Sequence, residues 1–224
     1  MLKKFVLGTI ATVVLAACGG EGSNSASSAP AQSGAASGSL IERINNKGTI
    51  TVGTEGTYAP FTYHDKDGKL TGYDVEVTRA VAEKLGVKVE FRETQWDGMM
   101  AGLKAGRFDV VANQVGLTSP ERQATFDKSE PYSWSGAVLV ARKDSNIKSI
   151  DDIKGVKTAQ SLTSNYGEKA KAADAELVSV DGLAQSLTLI EQKRADATLN
   201  DELAVLDYLK KNPNAGVKIV WSAP

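Results

Sequence analysis

Cysteine and histidine are almost missing from this chain, with one of each in 224 residues. A single Cys excludes an intrachain disulfide framework and any multi-Cys zinc site. A single His removes the two-His metal motifs. Neither sign of charge dominates: 26 Lys and Arg face 27 Asp and Glu, a formal net charge of -1, so the basic footprint of most nucleic-acid binders is missing. With 24% charged and 42% hydrophobic residues, the chain is no disordered acidic polymer either. Gly-x-Ser-x-Gly, His-Glu-x-x-His and P-loop patterns are absent. Ser145-Asn-Ile-Lys148 spells Ser-x-x-Lys but lies in a charged, loop-like stretch without companion motifs. The lone His64 flanks an expected Asp67-Gly68 hairpin turn, which makes it an exposed loop residue. The reading is of a protein that is not an enzyme and uses no cofactor or metal.

What is present begins with an address. Met1-Leu-Lys-Lys4 is a short positive start, and the apolar run Phe5 to Ala17 has 13 residues, short of the roughly 20 that span a bilayer. Basic, apolar and small-residue zones in that order have the layout of a secretory signal peptide over residues 1–17. Leu15-Ala-Ala-Cys18 resembles a bacterial lipobox, in which the Cys is lipidated and becomes the mature N-terminus; an ordinary signal with a chance Cys is the alternative. Residues 19–38 hold five Gly, six Ser and five Ala, with no apolar periodicity. Burial cannot offset the ordering entropy of such a segment, so 18–39 reads as a lipidated Cys followed by a flexible tether. The folded part therefore sits in the cell envelope, lipid-anchored, periplasmic or surface-exposed, and touches the membrane through the anchor alone.

From residue 40 onward helix and strand signals alternate. Thr49–Val52 is a β-branched strand candidate. Asp74 is placed as the cap of a helix through Val77, Ala80, Val81 and Leu85 that stops at Gly86. Val87 to Phe91 alternates as a strand, Trp96 to Ala105 reads as a helix ended by Gly106, and Phe108 to Ala112 as a buried strand. After Val138 to Val140 come a strand at Val156–Ala159, helices at Asn165–Ala172 and through Leu183, Leu187 and Ile190, a strand at Ala197–Leu199, a helix from Glu202 to Lys210 and a strand at Val217–Val220. Such alternation argues for α/β layers with largely parallel sheets. Leu103 to Asn113 also aligns without gaps with Ile190 to Asn200: helix end, basic turn, Asp109 or Asp196, buried strand, then Asn113 or Asn200. Ligands of open α/β sheets lie outside the carboxyl ends of strands. Two such units point to two lobes presenting polar residues to one cleft, with chance similarity of ordinary αβ units as the competing explanation.

Gly53-Thr-Glu55-Gly-Thr-Tyr58-Ala-Pro-Phe61, followed by Leu70-Thr-Gly-Tyr-Asp74, resembles the opening of bacterial extracellular solute-binding proteins of family 3. Trp96-Asp-Gly-Met-Met, Gly106-Arg-Phe-Asp109, Asn113-Gln-Val115, Ser119-Pro-Glu-Arg122 and Ser149-Ile-Asp-Asp-Ile-Lys-Gly155 continue the match, and cystine-binding members are the most similar. The resemblance implies a two-lobe α/β fold of the type II periplasmic-binding-protein kind, with mixed sheets and the ligand cleft between lobes at 40–136 and 137–224. It implies binding of a polar amino acid, cystine first and glutamine next, and delivery to the permease of an ABC importer by a monomer. A sensory or adhesive surface lipoprotein on the same fold is the alternative. In the family the chain continues for roughly 45–50 residues beyond this point and crosses back into the first lobe. The C-terminal part of lobe 1 is accordingly expected to be missing, and the shorter form to be less stable and a poor binder.

A free amino acid is a zwitterion, so its site needs partners for a carboxylate and for an ammonium. Arg122, just inside an expected helix start, offers a planar fork and dipole support for the carboxylate; a surface ion pair with Glu121 or Asp127 is its other reading. The backbone of Gly116 and the Thr118 hydroxyl can add donors, although the Thr118-Ser-Pro120 loop is one residue longer than the family's. Asp201 is the candidate for the ammonium and equally a helix N-cap. Glu55 stands where the family pattern has Asp, which leaves its direct role open. Tyr58 and Trp96 match the aromatic walls of related sites, or are ordinary core aromatics. Gln160, Thr163 and Ser164 match a carboxylate-contacting loop in the second lobe, with a helix cap as the other reading of Thr163 or Ser164. Uncharged amides at Asn113, Gln114 and Gln160, with Asn200 at the second strand end, favour a long, polar, net-neutral ligand.

Overall fold

Ser39 and Glu42 start the folded chain. The Glu42 N–H donates to the Ser39 hydroxyl at 3.3 Å and the Ser39 N–H to the Glu42 carboxylate at 2.7 Å, a capping box that opens helix α1 (Leu40–Lys47). The computed structural model describes residues 38–224. The signal and lipidation assignments and the tether over 18–37 lie outside the described residues; Ser39, placed at the end of the tether, instead caps α1.

Strand β1 (Thr49–Thr54) is the buried centre of a three-stranded parallel sheet, flanked by β5 (Lys88–Glu93) and β6 (Val110–Val111). A small antiparallel meander of β2 (Thr57–Tyr58), β3 (Thr62–His64) and β4 (Leu70–Thr71) follows β1, with Asp67-Gly68 at its expected turn. Helix α2 (Tyr73–Leu85) starts from Gly72, whose φ of 118° and close approach to the Phe61 carbonyl leave no room for a side chain. Asp74 is therefore not the cap: it lies inside the first turn with its carboxylate turned elsewhere. Helix α3 (Trp96–Lys104) packs on β1 and β6. The strand expected over Phe108–Ala112 is only two residues long, because Phe108 turns inward over Gly53 and Gly102 instead of extending the ladder. Short helix α4 (Pro120–Thr125) begins at Ser119, which accepts from the Arg122 N–H.

Residues 126–136 carry the chain, without helix or strand, to β7 (Ala137–Arg142). Its near-continuous apolar run suits a strand covered on both faces. Val138 and Val140 enter one core cluster while Leu139 enters the other, as a period of two requires. Around it a five-stranded sheet runs β11-β7-β10-β8-β9, with β8 (Lys157–Gln160), β9 (Glu176–Ser179), β10 (Ala197–Asp201) and β11 (Val217–Ser222). Helices α5 (Asn165–Ala172), α6 (Leu183–Glu191) and α7 (Glu202–Lys211) complete the layers. β8 runs parallel to β9 and β10, but β7 is antiparallel to both β10 and β11. The expectation of largely parallel sheets fails here: β7 enters from the long 126–136 connection rather than through a βαβ crossover, so its direction is not tied to that of its neighbours.

The result is two α/β lobes. The first has a small core of Ile44, Ile50, Val52 and Ala82. The larger cluster of the second, around Leu187, Ile190 and Val205, also takes in Phe61 from the first, so an apolar contact joins the lobes.

Candidate functional site

Both halves of the internal echo end at one cavity. Asn113, just past β6, and Asn200, in β10, line it. The parallel extends to their starts, where the Asp109 N–H donates to the Thr51 carbonyl and the Asp196 N–H to that of Lys157. Glu55, Tyr58, Trp96 and Gln114 complete the first-lobe side of the lining. Gln160 and Ser164 come from the second lobe. Gly116, Thr118, Arg122, Thr163 and Asp201 are not part of the lining.

Arg122 is 7% exposed. Its Nη1 donates to the Gly116 carbonyl at 3.0 Å and its Nη2 to the Thr163 carbonyl at 2.6 Å, the second bond crossing between lobes. The guanidinium lies 5.6 Å from the centre of the ring of Trp96, itself a lining residue of the cavity. The other reading of Arg122, an ion pair with Glu121 or Asp127, does not hold: among the described residues no carboxylate lies within salt-bridge distance of Arg122. Asp201 is the N-cap of α7, its Oδ1 accepting from the Leu203 and Ala204 N–H groups at 2.8 and 3.1 Å. Burial raises its pKa. Ser164 caps α5 by accepting from the Gly167 N–H. Thr163 is a cross-lobe contact, its N–H and hydroxyl donating to Asp97 Oδ1 at 3.0 and 2.7 Å.

Most amides of the lining are already engaged. Asn113 Nδ2 donates to Glu55 Oε2 at 2.6 Å, while its Oδ1 accepts from the Glu55 N–H at 2.8 Å. Gln160, oriented by its hydrogen bonds, pairs through both amide atoms with the Leu199 backbone. Asn200 Oδ1 accepts from the Tyr58 hydroxyl at 2.8 Å, another cross-lobe bond. Gln114 stands at a φ of 50°, costly for a residue with a side chain. Asp74 holds it there by accepting from its N–H at 2.7 Å and its Nε2 at 2.6 Å, and the Ser133 hydroxyl donates to its Oε1.

Glu55 is the exception among the polar groups. Desolvation by burial pushes its pKa up to about 7, against the hydrogen bond from Asn113 and with a smaller push from the charge of Asp97. No cation lies within salt-bridge distance of it among the described residues.

Some residues of the site carried no signal in the sequence. Asp97 sits inside the Trp96-Asp-Gly stretch, but only the folded chain brings the 162–163 backbone to it. Ser161, Asn165 and Tyr166 flank residues that were singled out, whereas Gly182, Leu183 and Ser186 at the start of α6 reach the cavity through topology alone. α6 has no side-chain cap at Gly182, so its first turn presents unpaired N–H groups beside the lining.

The model of the bacterial extracellular solute-binding proteins, family 3, matches residues 50–216. A probable amino-acid ABC transporter-binding protein of Haemophilus influenzae is 61% identical over 185 residues, 82% of this chain and 72% of its own length. The L-cystine-binding protein TcyA of Bacillus subtilis is 53% identical over 223 residues, 99% of this chain and 80% of its own. The crystal structure of the L-cystine solute receptor of Neisseria gonorrhoeae, in an unliganded open conformation, is 95% identical over 84% of this chain and 79% of that one, with a TM-score of 0.51. Fold, motifs and matches agree: the chain belongs to the bacterial extracellular solute-binding proteins of family 3.

Proposed function

We propose that the chain binds a polar α-amino acid outside the cytoplasm, cystine first and glutamine second, and passes it to the permease of an ABC importer. The observation that carries this reading is a pair of opposite charges without ion-pair partners among the described residues, one in the cavity lining and the other against the Trp96 ring. Glu55 is a carboxylate without a cation, and Arg122 a buried guanidinium without a carboxylate. Each costs free energy as it stands, and a zwitterion supplies both partners. In this reading Glu55, rather than the helix-capping Asp201, meets the ammonium. Arg122 adds its remaining donors and its charge to the carboxylate, with Gly116 and Thr118 beside it. Tyr58 and Trp96 pack the ligand's body between them. Gln160 and Asn200 act by holding β8, β10 and Tyr58 in place, and Thr163 and Ser164 by shaping the second-lobe loop. Nothing in this arrangement asks for a cofactor or a catalytic residue.

Lobes at 40–136 and 137–224 close on the ligand through the bonds to Thr163 and Asn200. The chain works as a monomer, held to the membrane by a lipid on Cys18 after removal of residues 1–17. The relatives' names support amino-acid transport and cystine in particular. The test is a thermal-shift panel of the proteinogenic amino acids and cystine on the chain without its signal. The largest rise is expected with cystine, then glutamine. Stabilisation by arginine or glutamate alone overturns the choice of ligand, and a flat panel overturns the function.

A further inference from the structure

Trp96 is only 8% exposed and lines the cavity, yet its indole Nε1–H is fully buried and has no hydrogen-bond partner among the described residues. Buried tryptophan N–H groups normally find an acceptor. Four amides of the lining have acceptor oxygens that already take other donors. Asn113 Oδ1 is held by the Glu55 N–H, Gln114 Oε1 by Ser133, Asn200 Oδ1 by Tyr58 and the Asp201 N–H, and the Gln160 amide by Leu199. Trp96 sits at the first position of α3, and the Arg122 guanidinium covers one face of its ring at 5.6 Å.

We propose that the Trp96 indole N–H is a hydrogen-bond donor to an oxygen of the bound amino acid, a carboxylate or a side-chain amide carbonyl, so that Trp96 selects its ligand by polarity as well as by apolar packing. The inference rests on the amino-acid reading above. It changes what that reading asks of the wall: the committed amides set the shape of the cavity, and the indole edge reads the ligand's acceptor. A ligand that brings only apolar atoms to this edge leaves the donor buried and unpaired, and is discriminated against on that account.

The chain has three tryptophans, at 96, 134 and 221, so its indole N–H groups give three resolved proton–nitrogen correlation signals, and loss of one in Trp96→Phe assigns Trp96. On saturation of the wild-type chain with cystine or with glutamine, the Trp96 signal is expected to move downfield and to exchange more slowly with solvent. That of Trp134, which is 79% exposed, is expected to stay in place. Calorimetry on Trp96→Phe is expected to show affinity lowered by roughly 5- to 100-fold, the range for one buried acceptor left without its donor. A penalty for both ligands assigns the acceptor to a carboxylate, which they share, and a penalty for glutamine alone assigns it to the amide oxygen. Binding proved by calorimetry with an unmoved Trp96 signal overturns the inference and leaves the proposed function standing. Absence of binding by any amino acid overturns both.

Discussion

Glu55 shows most clearly how one residue couples fold and function. Its carboxyl is pushed from 4.5 to about 7 by burial, so the folded chain holds this proton more tightly than the unfolded one. Its contribution to stability is full below about pH 4.5 and is lost as pH rises through about 7. Glu55→Gln removes the buried charge, so the variant is expected to melt roughly 2–6 °C above wild type near pH 8 and together with it near pH 4. Melting scans at the two pH values check this, and the same variant should bind amino acids more weakly. Arg122 is the complementary case. Arg122→Ala deletes the bonds to Gly116 and Thr163 and is expected to cost about 2–5 kcal/mol of amino-acid binding, with Arg122→Lys in between because an ammonium keeps the charge but not the fork. Titration calorimetry on the three chains decides it. The sequence named Arg122 from side-chain chemistry, whereas Glu55 stood out only through the family pattern, with its direct role open and Asp201 preferred for the ammonium. Sequence alone could not reveal that Asp74 pins Gln114 in a left-handed conformation, since that contact spans forty positions and depends on how α2 meets the end of β6.

Individual elements were legible in proportion to how local their causes are. α5 and α7 were readable because their caps, Ser164 and Asp201, lie within the segment, and α6 because Leu183, Leu187 and Ile190 keep a helical apolar period without a side-chain cap; α1 carried the Ser39-x-x-Glu42 signature but is too short to show a period. β7 was readable as a buried run, but its antiparallel pairing was not, because direction is decided by the 126–136 connection and not by the strand's own residues. The cap of α7 separates two roles of Asp201. Asp201→Asn keeps an acceptor for Leu203 and Ala204 and is expected to leave melting nearly unchanged, whereas Asp201→Ala should lose about 0.5–2 kcal/mol. Thermal melts of both variants give the comparison. A large loss of amino-acid affinity in Asp201→Asn, with its melting intact, would return the ammonium to Asp201.

The whole molecule is held in its present arrangement by a few contacts that cross between lobes: Asp97 with the 162–163 backbone and the Thr163 hydroxyl, Arg122 with the Thr163 carbonyl, Tyr58 with Asn200, and Phe61 in the second lobe's core. The Asp97 bonds are exposed, so each is worth little alone, and their effect falls on the balance between open and closed forms rather than on the fold. Asp97→Ala is expected to leave the melting temperature within about 2 °C of wild type while raising the ligand off-rate by roughly 3- to 10-fold, as loss of one or two hydrogen bonds implies. Stopped-flow displacement measures the rate. The sequence pointed to two lobes through the echo between Asn113 and Asn200, but not to these clasps, which exist only once both lobes are folded. The central claim is that one cleft neutralises a zwitterion with Glu55 and Arg122. Titration calorimetry with cystine near pH 6, repeated in buffers of different ionisation enthalpy, tests it most directly. An ammonium beside Glu55 keeps it ionised, so binding should release a fraction of a proton there and none near pH 8, and affinity should fall as pH drops below about 7. Cystine binding whose heat and affinity are the same in every buffer and at both pH values would contradict the account.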